Sequence, residues 1–195
     1  MGRPKEFSRE KTLVKAMELF RKQGYHATSI DDLVQELGVN RASLYETYGG
    51  KREVFAEALD IYTQGACLRM KAFLDAQKGV KEGIRNLFLA SLQDMKSGPV
   101  SVGCLALNTT IELLPLDKEV KPCLLGHQKR IQGFYVDFIR KGMATGEIAS
   151  GKDADAIAEF LYAFFAGLGV LVKLQPDEAR LIPAIDEALK VLDGP

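Results

Sequence analysis

Between Asn40 and Lys51 the chain reads NRASLYETYGGK, a run of side chains able to donate hydrogen bonds to oxyanions and to base edges. On a helix Leu44 and Tyr48 lie four residues apart and share one face, which is read here as the core face. Arg41, Ser43, Tyr45 and Thr47 then point outward, close to the helix N-terminus. The Arg41 guanidinium can donate to a guanine edge or to a phosphate. The hydroxyls of Ser43, Tyr45 and Thr47 can reach phosphates or bases. Ala42 is small enough to let the backbone approach and to touch a thymine methyl. Tyr48 is kept in the contact set although it faces inward. Lys51 opens the next helix, where its charge and the free N–H groups together attract a phosphate; Thr28 is read the same way before the preceding helix. Gly2-Arg3-Pro4-Lys5 is a short basic arm whose Arg3 can enter a minor groove. Most such contacts position a protein on a duplex, and base contacts specify the sequence. The competing reading is a solvated helix face for the helix residues, a helix cap for Thr28, and a disordered terminus that contacts nothing for the basic arm. Glu46 works against phosphate binding unless it accepts from a cytosine amine.

Three short helices must hold that face. Leu13, Ala16, Met17 and Phe20 follow the i, i+3, i+4, i+7 spacing of an amphipathic helix, with Ser8 placed to cap it and Gly24 to end it. Ile30, Leu33, Val34 and Leu37 repeat the spacing on a second helix. Thr28 or Ser29 caps that helix, Asp31 and Asp32 favour its positive end, and Gly38 closes it. After Val39, Asn40 caps a third helix running through Tyr48, and Gly49-Gly50 breaks it. A tight glycine turn between two short helices is the helix-turn-helix arrangement.

From Thr28 to Phe55 the chain reads TSIDDLVQELGVNRASLYETYGGKREVF. This stretch resembles the TetR/AcrR family of regulators. It has the Thr, the short amphipathic helix, the Gly-Val, the polar cap, the Leu-Tyr and the aromatic-Gly-small-Lys ending. Gly50 replaces a more usual Ser or Asn. The resemblance implies an all-α protein with a helix-turn-helix DNA-binding domain over 1–52 and a helical ligand-binding and dimerisation domain over 53–195. It also implies a homodimer that binds a palindromic double-stranded operator as a repressor and is released by a small-molecule effector.

The rest of the chain is read as helices at about 52–77, 80–96, 102–114, 117–145, 153–174 and 178–193, with breaks at Gly79, Ser97-Gly98-Pro99, Pro115, Gly146 to Gly151 and Pro176. Candidate lining residues for an apolar ligand are Phe88, Leu92, Cys104, Leu107, Asn108 and Ile111 on the earlier helices. Ile131, Phe134, Tyr135, Phe138, Tyr162 and Phe165 complete the set on the later ones. An apolar cavity with a few polar groups such as Asn108 and Tyr162 suits a small molecule, and core packing is the competing reading of each. Ala163, Ala166, Gly167 and Gly169 allow close helix approach. Together with Leu181, Ile185, Ala188, Leu189 and Leu192 they are read as a paired-helix dimer surface. GCLALNTTIEL resembles a subset of the family in which a cysteine senses electrophiles or oxidants. At a helix start Cys104 would be a more reactive thiol, so a thiol switch is the alternative mechanism. Cys123 and His127, four apart, have metal-ligand spacing that Cys67 or Cys104 would have to complete, so a metal-responsive regulator of the same fold is a further alternative, although no metal and no cofactor is expected.

Composition narrows the class. Lys and Arg number 26, as do Asp and Glu, so the chain is neutral overall. Through Arg52 there are ten basic and seven acidic residues, leaving the head at +3 and the remainder at −3. That places DNA binding at one end and argues against indiscriminate coating of nucleic acid. With no signal-peptide pattern and no uninterrupted apolar run of spanning length, a cytoplasmic protein with reduced thiols and no membrane partner is expected. There is no nucleophile elbow, no phosphate-cradling glycine loop and no carboxylate–histidine cluster, so enzymatic function is not expected.

Overall fold

The computed structural model describes residues 9–96, 102–174 and 177–193, and these are helical almost throughout, with no strand among them. Four helices come first: α1 Arg9–Gln23, α2 Ile30–Leu37, α3 Arg41–Tyr48 and α4 Lys51–Asp75. They are followed by α5 Val80–Met95, α6 Leu105–Glu112, α7 Lys121–Thr145, α8 Ala154–Leu174 and α9 Glu178–Ala188. A 3-10 turn over Lys118–Val120 leads into α7, and another over Leu189–Leu192 extends α9. The segments read from sequence at 117–145 and 178–193 as single helices therefore each contain a 3-10 turn. Ser8, Ser97 to Pro99 and Pro176 lie outside the described residues.

The described residues fall into two compact units. The first takes in residues up to 64 together with 105–123; the second holds 65–104 and 124–193. The first unit thus extends beyond the head read over 1–52, through a segment of chain far away in sequence.

In the first unit, Ala16 and Phe20 of α1, Leu33 and Leu37 of α2, Leu44 of α3 and Phe55 of α4 are buried. Phe20 meets Phe55 edge-on with ring centroids 5.0 Å apart. Burying side chains of this size contributes roughly 1.5–3 kcal/mol each, which outweighs the weak intrinsic stability of eight-residue helices.

The second unit is built around Phe88, which is fully buried. Its ring lies 5.8 Å from Phe164, 6.0 Å from Phe165 and 6.4 Å from Tyr135. Gly79 gives the N-terminus of α5 no side-chain cap. The Glu147 carboxylate supplies one instead, accepting from the Val80 N–H at 2.8 Å and the Lys81 N–H at 2.9 Å.

Leu181, Ile185, Leu189 and Leu192 are buried within the chain itself. This corrects the reading of the last helix as half of an exposed apolar surface: its large residues are used by the intramolecular core. The outward face of α8 is different. Phe160, Ala163, Gly167, Val170, Leu171 and Leu174 recur at helical spacing and all are exposed, Leu174 at 81%. This 21-residue helix has a mean hydropathy of 1.8 over its most apolar window, of which only 33% is buried.

Candidate nucleic-acid interface

The turn between α2 and α3 is set by backbone chemistry. Ser29 and Asp32 form a reciprocal capping box at the start of α2, with Asp32 N–H donating to Ser29 Oγ at 3.0 Å and Ser29 N–H to Asp32 Oδ2 at 2.8 Å. The Ser29 N–H, together with the Ser29 hydroxyl donating to the same oxygen at 2.7 Å, holds the Asp32 carboxyl below the ordinary aspartate range. Gly38 closes α2 in the left-handed region at φ 70°, where a side chain would be strained. Asn40 then accepts from the Ser43 N–H at 2.8 Å and starts α3.

That geometry turns α3 as its sequence pattern requires. Leu44 and Tyr48 are buried, while Arg41, Ala42, Tyr45, Glu46 and Thr47 are exposed and Ser43 is half-buried. The exposed ring of Tyr45 has no role in the core, and Glu46 shares its face. Arg41 Nη2 donates to Asp31 Oδ1 of α2 at 3.0 Å.

Two members of the contact set lie elsewhere. Thr28 is fully buried, and its hydroxyl donates to the Gly24 carbonyl at 2.6 Å. It fastens the α1–α2 turn, and Ser29 takes the capping position. Tyr48 is buried with Leu44, and its hydroxyl donates to the Arg9 carbonyl at 3.4 Å beneath the Arg9 guanidinium. Tyr48 takes the inward position that its spacing from Leu44 requires, and Thr28 is buried in the loop before α2. Arg3 and the basic arm lie outside the described residues.

Lys51 starts α4 as read, with its ammonium 4.3 Å from the centre of the Tyr25 ring. Partial burial pulls its pKa down, opposed by the charges of Glu112 and Asp32. Sequence reasoning missed two anchors here. The Glu112 carboxylate accepts from the backbone N–H of Tyr25 at 3.1 Å and of His26 at 2.7 Å. Arg52 donates to Asp117 at 2.8 Å and to Glu119 at 3.3 Å. No periodicity or spacing connects residues this far apart, so no sequence signal announces these bonds.

The candidate lining residues divide between the units. Phe88, Leu92, Cys104, Ile131, Tyr135 and Phe138 are buried in the second unit, with Phe134, Tyr162 and Phe165 half-buried beside them. Burial pushes the Tyr135 phenol far up and the Tyr162 phenol up to about 12, so both remain neutral donors. Phe134 and Phe138 line an open groove of about 160 Å³ with Lys71, Leu74, Asp75, Asp137 and Lys141. Leu107, Asn108 and Ile111 belong to the first unit, and Ile111 is 66% exposed. The three cysteines are free thiols. Cys123 faces the Thr63 hydroxyl at 3.8 Å, whereas His127 Nδ1 lies 3.5 Å from Cys67 Sγ. No group of three or more metal-ligating side chains occurs among the described residues.

Similarity to known proteins runs along both units. A sequence profile of bacterial regulatory proteins of the tetR family matches residues 13–58, and one of the tetracyclin repressor-like C-terminal domain matches residues 80–187. The HTH-type transcriptional regulator YezE of Bacillus subtilis is 33% identical, over 99% of this chain and 100% of that protein. The HTH-type transcriptional repressor ComR of Escherichia coli is 31% identical, over 87% of this chain and 81% of that protein. Among solved structures, a cysteine mutant of the TetR family regulator CifR in complex with a 26-base-pair operator duplex superposes with a TM-score of 0.86. It is 26% identical and covers 98% of this chain and 100% of that one. The helix-turn-helix geometry and the two matching profiles together make this chain a member of the TetR family of bacterial transcriptional regulators, and not an enzyme.

Proposed function

We propose that the protein is a cytoplasmic repressor that binds a palindromic operator as a homodimer and is released by a small, largely apolar effector. The observation that carries the reading is the split of α3: Leu44 and Tyr48 anchor it while Arg41, Ala42, Tyr45 and Thr47 are exposed on its outer face. A helix held this way can enter a major groove N-terminus first. The exposed apolar face of α8 is the surface for the second subunit, which a two-fold operator requires. In the second unit, the rings around Phe88, with the neutral hydroxyls of Tyr135 and Tyr162, suit a small uncharged molecule. A ligand there acts by its different affinity for two conformations.

Cys104 supports a second reading, in which an electrophile or oxidant takes the effector's place. It is buried immediately before α6, on the same side of the unit as the Tyr162 phenol, whose pKa a thiolate at Cys104 would raise. The experiment is a gel shift on the DNA upstream of the protein's own gene, with a panel of apolar compounds and with diamide, on wild type and Cys104→Ser. Release by an apolar compound that survives Cys104→Ser is the expected result. Release by diamide alone, lost in Cys104→Ser, replaces the pocket reading with the thiol switch. Absence of any retarded complex defeats both.

A further inference from the structure

The turn between α1 and α2 is held by a carboxylate 86 residues further along the chain. Glu112, the last residue of α6, places its two oxygens on the backbone N–H groups of Tyr25 and His26, at 3.1 and 2.7 Å. The turn is shaped to receive it. Gly24 sits at φ 84°, and a Cβ there would lie 2.6 Å from the Glu112 carboxylate, so no other residue fits without displacing it.

What the turn presents is the Tyr25 ring. Its lower side is fixed by an edge-on contact with Phe55, centroids 4.9 Å apart, and a stacked contact with Phe20 at 6.2 Å. Over it lies the Lys51 ammonium, 4.3 Å from the ring centre. A cation held over an aromatic face gains about 0.5–1 kcal/mol at an exposed site, enough to select a rotamer of a long, flexible side chain. The next residue, Arg52, is committed to Asp117 and Glu119 on the same segment that carries Glu112. Both cations in the first turn of α4 are therefore oriented by residues 112–119, although these lie outside the helix-turn-helix sequence.

We propose that Glu112 is a positioning residue for DNA binding: it fixes the Tyr25 turn, and the Tyr25 ring in turn aims Lys51 at a phosphate. This rests on the reading of Lys51 as a phosphate contact. Two other roles are possible for Glu112, and each makes a different forecast. A purely structural carboxylate would weaken the fold and lower DNA binding whether or not Lys51 is present. A carboxylate competing with DNA for Lys51 would, once removed, raise affinity.

The test is fluorescence anisotropy over a series of KCl concentrations, with the full chain and the duplex it protects upstream of its own gene. Wild type is compared with Glu112→Ala, Glu112→Gln, Lys51→Ala and the double variant Lys51→Ala/Glu112→Ala. Loss of one phosphate contact lowers the salt slope by about one unit. Both Glu112→Ala and Lys51→Ala are expected to show that drop, with about a tenfold loss of affinity. Glu112→Gln, which keeps one carbonyl oxygen, should be intermediate, and the double variant should bind no worse than Lys51→Ala. Tyr25→Leu removes the ring and leaves the Glu112 bonds; it is expected to give the same drop in slope, and it serves where Glu112→Ala is poorly folded. A Glu112→Ala loss that persists in full on the Lys51→Ala background, a gain in affinity, or an unchanged slope in Tyr25→Leu overturns the proposal. A Lys51→Ala protein with wild-type affinity and slope defeats the underlying reading of Lys51, and the proposal with it.

Discussion

The Arg41 guanidinium lies 3.0 Å from the Asp31 carboxylate, joining the first residue of α3 to the first turn of α2. The two side chains are 60% and 82% exposed, so the pair contributes little to stability and is readily exchanged for a partner on DNA. Arg41→Ala is expected to cost roughly 1–3 kcal/mol of operator binding, concentrated at one base position. Asp31→Asn, which frees Arg41 and removes a charge that repels phosphate, should tighten binding severalfold while lowering the melting temperature only slightly, because Asp31 also sits at the positive end of α2. Titrations on a library of single-base operator variants check both. Equal losses at all positions for Arg41→Ala would make it a phosphate contact.

Gly24 and Gly38 both have positive φ, yet they differ in surroundings. A Cβ on Gly24 meets the Glu112 carboxylate at 2.6 Å, whereas one on Gly38 meets nothing within 4 Å. Gly38→Ala should cost only the backbone strain, about 1–2 kcal/mol. Gly24→Ala should cost more, because it also displaces Glu112 from two N–H groups. Urea denaturation of the two variants checks the ranking, and equal midpoints would contradict it.

These contrasts mark the limit of what the sequence could disclose. Helix ends were legible because they rest on local chemistry: Gly38, Asn40 and Gly49 act within four residues of the bonds they control. The facing of α3 was legible because Leu44 and Tyr48 share one side of a helix. Thr28 was assigned to DNA as a residue beside a helix start, and a hydroxyl that instead bonds a nearby backbone carbonyl looks the same in a sequence. The Glu112 and Glu147 carboxylates bond backbone N–H groups, which carry no residue signature at all. The last helix was read as a surface because apolar periodicity does not say which neighbour covers it; α5 and α8 do so from within the chain.

The outward face of α8 predicts the state of assembly. Val170 and Leu171 are about half exposed on an otherwise apolar helix. Leu171→Glu places a charge where two subunits should meet and is expected to yield a monomer with near wild-type helical content. Sedimentation velocity reads the result. A monomeric wild type, or a dimer undisturbed by Leu171→Glu, would refute this use of the face.

Alkaline pH should report on the phenols near Phe88. Tyr162 is raised by burial from 10.0 to about 12, so the folded state holds a proton that the unfolded chain releases near pH 10. This contribution to stability is complete below pH 10, falls as pH rises, and is gone once the pH passes about 12. Absorbance at the tyrosinate band should therefore show a late phase among the six tyrosines, reduced in Tyr162→Phe. A Tyr162→Phe protein with an unchanged late phase would contradict the buried, neutral phenol.

The exposed face of α3 is expected to read DNA as one half of a two-fold pair. Hydroxyl-radical footprinting of the region upstream of the protein's own gene tests it most directly, with wild type and Arg41→Ala compared at one salt concentration. The expected pattern is two protected half-sites related by a dyad and spaced by about one helical turn or more, with Arg41→Ala needing roughly 5–150-fold more protein for the same protection. Protection of a single asymmetric site, or equal protection by Arg41→Ala at the wild-type half-saturating concentration, would rule this out.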